Sequence, residues 1–405
     1  MKQTVQVSEA QEIILKCVAP IGVESVPLVG ALQRVIAEAV ISPRDIPPTD
    51  NSAMDGYAVQ YRDVEGASAE RPAILDVIDI LPAGKTPQHQ VATGQAIKIM
   101  TGAPMPAGAD TVIQVEHTNA NDRKVEIYQA PAAGSHLRRR GEDIRRGECV
   151  IAQDTRLRPA ELGVLASVGK AQVFVYQRPR VAILATGDEI ADLGDPDAGH
   201  KIINSNSYTL AGQVIEAGGI PLLLGVAPDE RHEMSRRIAS GLKADVLITS
   251  GGVSVGDFDY VRECLEQAGF TPHFWTVALR PGSPVTFGAV GQVPVFSLPG
   301  NPVASMVTFE LFVRPALLKI NGYTELFRTR STAILQDEVR KRRGVRTFLR
   351  GILSQLNGQD VVTTTGPQGS GILRSMNLAN CLIDIPEDVE QLQPGEMIQV
   401  ISLSS

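Results

Sequence analysis

Three observations predict a multidomain fold of the α/β plus β class. The chain has 405 residues, too long for one ordinary core, so roughly two to four domains are expected. From about Arg180 to Tyr323 the pattern strand, loop, helix repeats, as in a Rossmann-like, mostly parallel sheet with helices on both faces. On either side of that region, about 58–143 and from about Arg328 onward, the chain reads as short strands separated by Gly, Pro and Asn.

In chain order, Ser8 and Gln11 resemble a capping box, and Ile13, Ile14 and Cys17 give the helix that follows an apolar stripe. A second short helix is expected over Leu28–Ile36. The first β segment has strand candidates at Ile74–Ile80, Ala96–Met100, Thr111–Val115 and Val125–Tyr128. Pro159-Ala160-Glu161 then opens a helix ending near Gly169, and a strand Val173–Tyr176 leads to the linker Gln177-Arg178-Pro179-Arg180. If the β segment is an excursion, the helical pieces on its two sides form one discontinuous domain. The α/β stretch carries strands at Val181–Ala185, Pro221–Leu224, Ala244–Ile248 and Val293–Ser297. Its helices are expected around Tyr208–Ala217, over Val261–Ala268 and from Val303. The last stretch, with strands at Val345–Leu353, Val361–Thr365, Cys381–Ile385 and Met397–Ile401, reads as a small β-barrel or sandwich.

The net charge of −7 argues against a general nucleic-acid binder. Two basic runs, 138–140 and 340–343, read as solvated faces unless an anion site lies nearby. Four scattered cysteines form neither a zinc site nor a disulfide framework. The first residues lack the apolar core of a signal peptide, and no run of about 18 apolar residues occurs, so no membrane segment and a cytoplasmic location are expected. Trp275 reads as core.

Ligands of such sheets sit at the carboxyl ends of the strands. Three polar loops fit: 186–189, 249–260 and 298–302. In the middle one, Ser250, Gly251, Gly252, Ser254 and Gly256 lie between a buried strand and a helix, which suits either a phosphate cradle or a plain structural turn. Asp257 and Asp259 beside it read as helix-cap acids or as partners of a hard cation. Asp188, Glu189 and Asp229 fall at the same sheet edge; each alone reads as a cap, together as oxygen ligands of the kind Mg²⁺ prefers. Asp55-Gly56 is locally a tight turn. Dispersed histidines, no G-x-S-x-G and no G-x-G-x-x-G weaken zinc, serine-nucleophile and NAD readings.

Seven motifs together resemble the MoeA family, the molybdopterin molybdenumtransferases, with gephyrin's E domain as eukaryotic relative. They are PPTDNSAMDGYA (47–58), IMTGAPMPAGADTVI (99–113), LRRRGEDI (137–144), ATGDEI (185–190), TSGGVSVGDFDY (249–260), SLPGNP (297–302) and TTTGPQGS (363–370). The resemblance implies four domains: a discontinuous helical linker and dimerisation domain, 1–45 and 146–178; an inserted β domain, 46–145; a molybdopterin-binding α/β domain, 179–326; and a C-terminal β-barrel, 327–405. It implies a homodimer with its active site between subunits, and Mg²⁺-dependent insertion of molybdate into adenylylated molybdopterin with release of AMP. The molybdopterin adenylyltransferase and molybdoenzyme chaperones are the protein partners it suggests.

Carried over by motif, the functional residues are Asp55, Thr101, Asp143, Glu189, Asp229 and Asp259, with Glu189 and Asp259 as Mg²⁺ partners. Ser250, Gly251, Gly252, Ser254, Gly256, Pro299 and Pro302 would bind the pterin substrate, and Arg280, Arg350 and Ser370 the molybdate. The chain departs from the family's W-K-x-x-x-K-P-G-K-P, keeping a cation only at Arg280. Thr276 and Ser283 replace lysines, and Ala304 replaces a common serine. Weaker oxyanion capture follows, so the alternative is a molybdopterin-binding paralogue acting as carrier or scaffold. A generic Mg²⁺-dependent nucleotide-handling enzyme is a third reading.

Overall fold

The computed structural model describes residues 2–121, 123–196, 198–252 and 260–403. At its centre is a seven-stranded sheet in the order Lys2–Val5, Phe270–Val277, Thr286–Val290, Val293–Leu298, Val246–Ser250, Arg180–Thr186, Ile220–Ala227. The strands from Val293–Leu298 to Ile220–Ala227 run parallel, and Thr286–Val290 is antiparallel to both neighbours. Alternation explains how one sheet builds two cores, because successive side chains leave a strand on opposite faces. Val181, Ile183, Val246, Ile248 and Phe296 face one helical layer; Ala182, Leu184, Leu247 and Val295 face the other. Helices Asn206–Glu216, Pro302–Thr308 and Arg314–Ile320 cover the first face, Arg231–Gly241 and Tyr260–Gln267 the second.

Several expectations change. Strands Phe270–Val277 and Thr286–Val290 were not expected, and they make the sheet mixed. Helix Arg231–Gly241 is almost wholly polar and buries only Met234, Ile238 and Gly241, too thin a stripe for periodicity to reveal. Residues 2–18, grouped by sequence with the linker, join the α/β domain. Lys2–Val5 pairs in parallel with Phe270–Val277, and Val7, Ala10 and Ile14 of the following helix enter its core. That helix starts at Val7 without a side-chain cap, so Ser8 and Gln11 form no capping box. Trp275 is partly buried, with Arg262 stacked 4.0 Å from its ring centre.

The linker is held by strand Val23–Pro27 against Gln172–Tyr176 and by helix Pro159–Ser167. The helix expected over Leu28–Ile36 is a single turn, Leu28–Ala31. Gln33 turns left-handed at φ +63°, and Val35 and Ile36 then bridge to Arg156 and Val175. The inserted β segment forms a six-stranded sheet. The C-terminal strands close into a barrel, because Arg346–Leu356 pairs with both Gln359–Thr364 and Cys381–Ile385 while Arg330–Leu335 and Met397–Ser402 complete the ring. No helix is long and apolar enough to cross a membrane among the described residues.

Candidate active site

Strand Val246–Ser250 ends fully buried, and the chain then turns through Gly251 at φ +95° and Gly252 at φ +63°. A methyl group at Gly251 would stand 2.7 Å from the Thr186 carbonyl oxygen, and one at Gly252 would stand 2.4 Å from Val261 Cγ2. Both the conformation and the close approach therefore require glycine. The Gly251 amide donates to Leu298 O (3.1 Å), so this N–H is already engaged within the fold. Ser254, Gly256, Asp257 and Asp259 lie outside the described residues.

Asn206, at the start of its helix, cross-links two of the expected loops: its Nδ2 donates to Ser250 Oγ (2.8 Å) and to Gly300 O (2.8 Å). Around it lies a cleft of about 730 Å³ bounded by Thr186, Glu189, Asn206, Ser250–Gly252, Pro299–Pro302 and Gly371. Sequence reading missed Asn206, since a single Asn at a helix start reads as a cap.

The acids at this edge interact. The Asp229 amide donates to Asp188 Oδ1 (3.1 Å). Burial, helped by the charges of Asp188 and Glu189, raises the Asp229 carboxyl above its ordinary range, and a hydrogen bond from Asp188 offsets this only in part. Such crowded hard oxygen donors suit a divalent cation. Among the described residues, no group of three or more His, Cys, Asp or Glu is arranged to hold a metal.

A second cleft, of about 580 Å³, adjoins the first: Pro284, Pro299 and Asn301 line both. Arg350 is among its lining residues. This side chain is 0% exposed, yet it has no carboxylate partner among the described residues. Its Nε donates to Ser375 Oγ (3.0 Å) and its Nη2 to Gly369 O (3.2 Å), while Nη1 is buried with no partner among the described residues. Four residues earlier on the same strand, Arg346 grips Asp384 through two bonds of 2.7 and 2.8 Å. A fully buried arginine is ordinarily paired. Burial pushes the Arg350 guanidinium down to about 10, still cationic at neutral pH.

Gln368 fixes the Arg350 backbone from both sides, accepting from its amide (2.9 Å) and donating to its carbonyl (3.2 Å). Ser370 is brought in by its carbonyl, which accepts from the Val303 amide (3.0 Å) at the start of helix Pro302–Thr308. Arg280, exposed beside a cis Arg280–Pro281 bond, lines the same cleft. So do Arg340, Lys341 and Arg342, the run that reads from sequence as a solvated face. Of the replaced positions, Ser283 donates to Val277 O (2.9 Å), Thr276 meets the Thr4 hydroxyl (2.7 Å), and Ala304 is buried.

The remaining acids stand apart. Asp55 accepts from both the amide and the hydroxyl of Thr101 (2.7 Å each), which hold its carboxyl below the usual carboxylate range. Asp143 is exposed nearby in sequence to Arg140, whose Nε is occupied by Asp45 (2.6 Å). Among the described residues, none between 46 and 145 lines either cleft.

With this geometry in view, the comparisons with known proteins cover nearly the whole chain. Residues 5–169 match the MoeA N-terminal region (domain I and II), 182–319 a probable molybdopterin binding domain and 332–403 the MoeA C-terminal region (domain IV). Molybdopterin molybdenumtransferase 2 of Mycobacterium tuberculosis is 37% identical over 404 residues, covering 98% of this chain and 99% of that protein. The chain belongs to the MoeA family. Another MoeA-family relative, the molybdopterin molybdenumtransferase of a Nostoc species, is 37% identical over 94% of this chain and 88% of its own. The solved molybdopterin biosynthesis MoeA protein of Pyrococcus horikosii superposes with a TM-score of 0.86 at 31% identity, covering 100% of both chains.

Proposed function

We propose that the protein is a molybdopterin molybdenumtransferase that inserts molybdate into adenylylated molybdopterin with release of AMP in a Mg²⁺-dependent step. The observation that carries this reading is the pair of adjoining clefts. One is built from glycine-rich loops, and the other holds a buried arginine with an unoccupied donor and no carboxylate. The first suits a phosphorylated pterin; the second suits an oxyanion delivered to it.

In this reading Arg350 and Ser370 receive molybdate, and Arg280 with the 340–342 run supplies the positive field that Thr276 and Ser283 no longer provide. Glu189 and Asp229, with Asp259, would hold Mg²⁺, which supplies charge neutralisation for the departing phosphate. Asp55, Thr101 and Asp143 belong to a domain that lines neither cleft, so they act on the site of a second copy in a cytoplasmic homodimer. Transfer of the pterin from a molybdopterin adenylyltransferase and onward to molybdoenzyme chaperones completes the proposed sequence.

The test is AMP release from adenylylated molybdopterin by the purified protein with molybdate and Mg²⁺; no release under conditions where a relative works would sink the reading. Ser283, Thr276 and Ala304 motivate the second reading, a carrier or scaffold that binds molybdopterin without turnover. It predicts binding without AMP release, and release that appears when lysine is restored at Thr276 and Ser283.

A further inference from the structure

We infer that a small arginine-lined cavity between the linker and the α/β domain is a binding site for a doubly charged oxyanion of phosphate size. The cavity, about 240 Å³, is bounded on the linker side by Arg34 and Arg156, at the domain connection by Arg178, and on the α/β side by Glu216, Asn321 and Tyr323. It is separate from the two clefts, with which it shares no lining residue.

The charges on its wall do not cancel. Arg34 is held by Glu24 (2.5 Å) and the Tyr176 carbonyl (2.6 Å). Glu216, the single carboxylate among the lining residues, pairs with Arg328 (2.8 Å) outside the cavity. Among the described residues Arg156 has only neutral company: its Nε donates to Gln33 Oε1 (2.7 Å), its Nη2 donates to the same oxygen, and its guanidinium lies 5.7 Å from the centre of the Tyr323 ring. Arg178 has no hydrogen-bond partner among the described residues, and its Nε is buried without one.

An arginine keeps its charge and carries five donors in a fixed plane, so a buried, unpartnered N–H on a residue lining a cationic cavity calls for an acceptor that also supplies negative charge. Two guanidinium groups without carboxylates match an oxyanion with two charges, and the volume leaves room for such an ion and water rather than a nucleotide. The wall is preformed. The Gln33 amide donates to Leu157 O (2.8 Å), the Leu157 amide to Arg34 O (2.8 Å), and the Tyr323 hydroxyl to Gln33 O. An ion bridging Arg156 and Arg178 ties the linker to the α/β domain at the segment Gln177–Arg180, which from sequence is only a connection.

The experiment is isothermal titration of the full chain with inorganic phosphate in chloride buffer, on the native protein and on Arg178→Gln, Arg156→Gln and Arg350→Gln. Phosphate binding is expected in the native protein, weakened roughly tenfold or more by loss of one charged hydrogen bond in Arg178→Gln and Arg156→Gln, and retained in Arg350→Gln. Binding unchanged by the first two, or abolished only in Arg350→Gln, would place phosphate in the oxyanion cleft and overturn the assignment. Should Arg178→Gln fail to fold, crystals of the native protein soaked in selenate decide: an anomalous peak between Arg156 and Arg178 supports the site, and its absence there overturns it.

Discussion

At the scale of single residues, Arg350 separates a functional role from a structural one. Replacing it with Met removes a buried, uncompensated charge, so the fold is expected to keep or gain stability. Molybdate-dependent AMP release should fall by about 1.5–3 kcal/mol, roughly 10- to 150-fold. Thermal unfolding and the AMP assay on the same preparation check both halves; a variant that loses stability and activity together would make Arg350 a core residue.

Asp229 gives a pH prediction. Its folded value is raised, so the stability it contributes is present below the unfolded carboxyl range and lost as pH rises through the folded value. Asp229→Asn should therefore match the native protein in denaturant titrations at low pH and exceed it near neutrality in Mg²⁺-free buffer. Added Mg²⁺ should stabilise the native protein more than the variant.

At the scale of elements, the turn after strand Val246–Ser250 has no freedom to change. Gly251→Ala forces a left-handed alanine whose methyl meets the Thr186 carbonyl, at an expected cost of about 1–3 kcal/mol, readable by urea denaturation. The same turn shows how far sequence reaches. The strand, the turn and the neighbouring loops 186–189 and 298–302 are legible, because apolar β-branched runs and glycines mark local conformation. Which amide is free is not legible: Gly251 donates to Leu298, a partner 47 positions away, chosen only by the parallel register of two strands. Helix Arg231–Gly241 and strand Lys2–Val5 were invisible for a related reason. Each is short or polar, and each is stabilised by a surface supplied from elsewhere in the chain.

At the scale of the whole molecule, the distance in the chain between Asp55 and the clefts leads to a complementation test. Asp55 and Arg350 are proposed to meet only across a dimer. Mixing and refolding Asp55→Ala with Arg350→Met, each expected to be strongly impaired alone, should restore about a quarter of native AMP release, well above either variant by itself, since half the dimers are mixed and one of their two sites is intact. No recovery in a demonstrably mixed dimer would return both residues to one chain's site.

The sequence by itself determined the class of fold, the order of its domains and the loops that end its central strands, because those follow from periodicity, glycine placement and a set of long motifs. Only the tertiary structure decided what the charges mean. The run 340–343 looks solvated in the chain, yet Arg340, Lys341 and Arg342 line a cleft in the fold, Arg340 while paired with Glu338; Arg139 and Arg140 line neither cleft and are tied to Asp50 and Asp45. Arg346 and Arg350 look alike four residues apart, yet one is paired and the other is buried with a free donor. Charge and hydrogen-bonding capacity belong to the residue, but whether they are satisfied depends on partners that folding brings from distant parts of the chain.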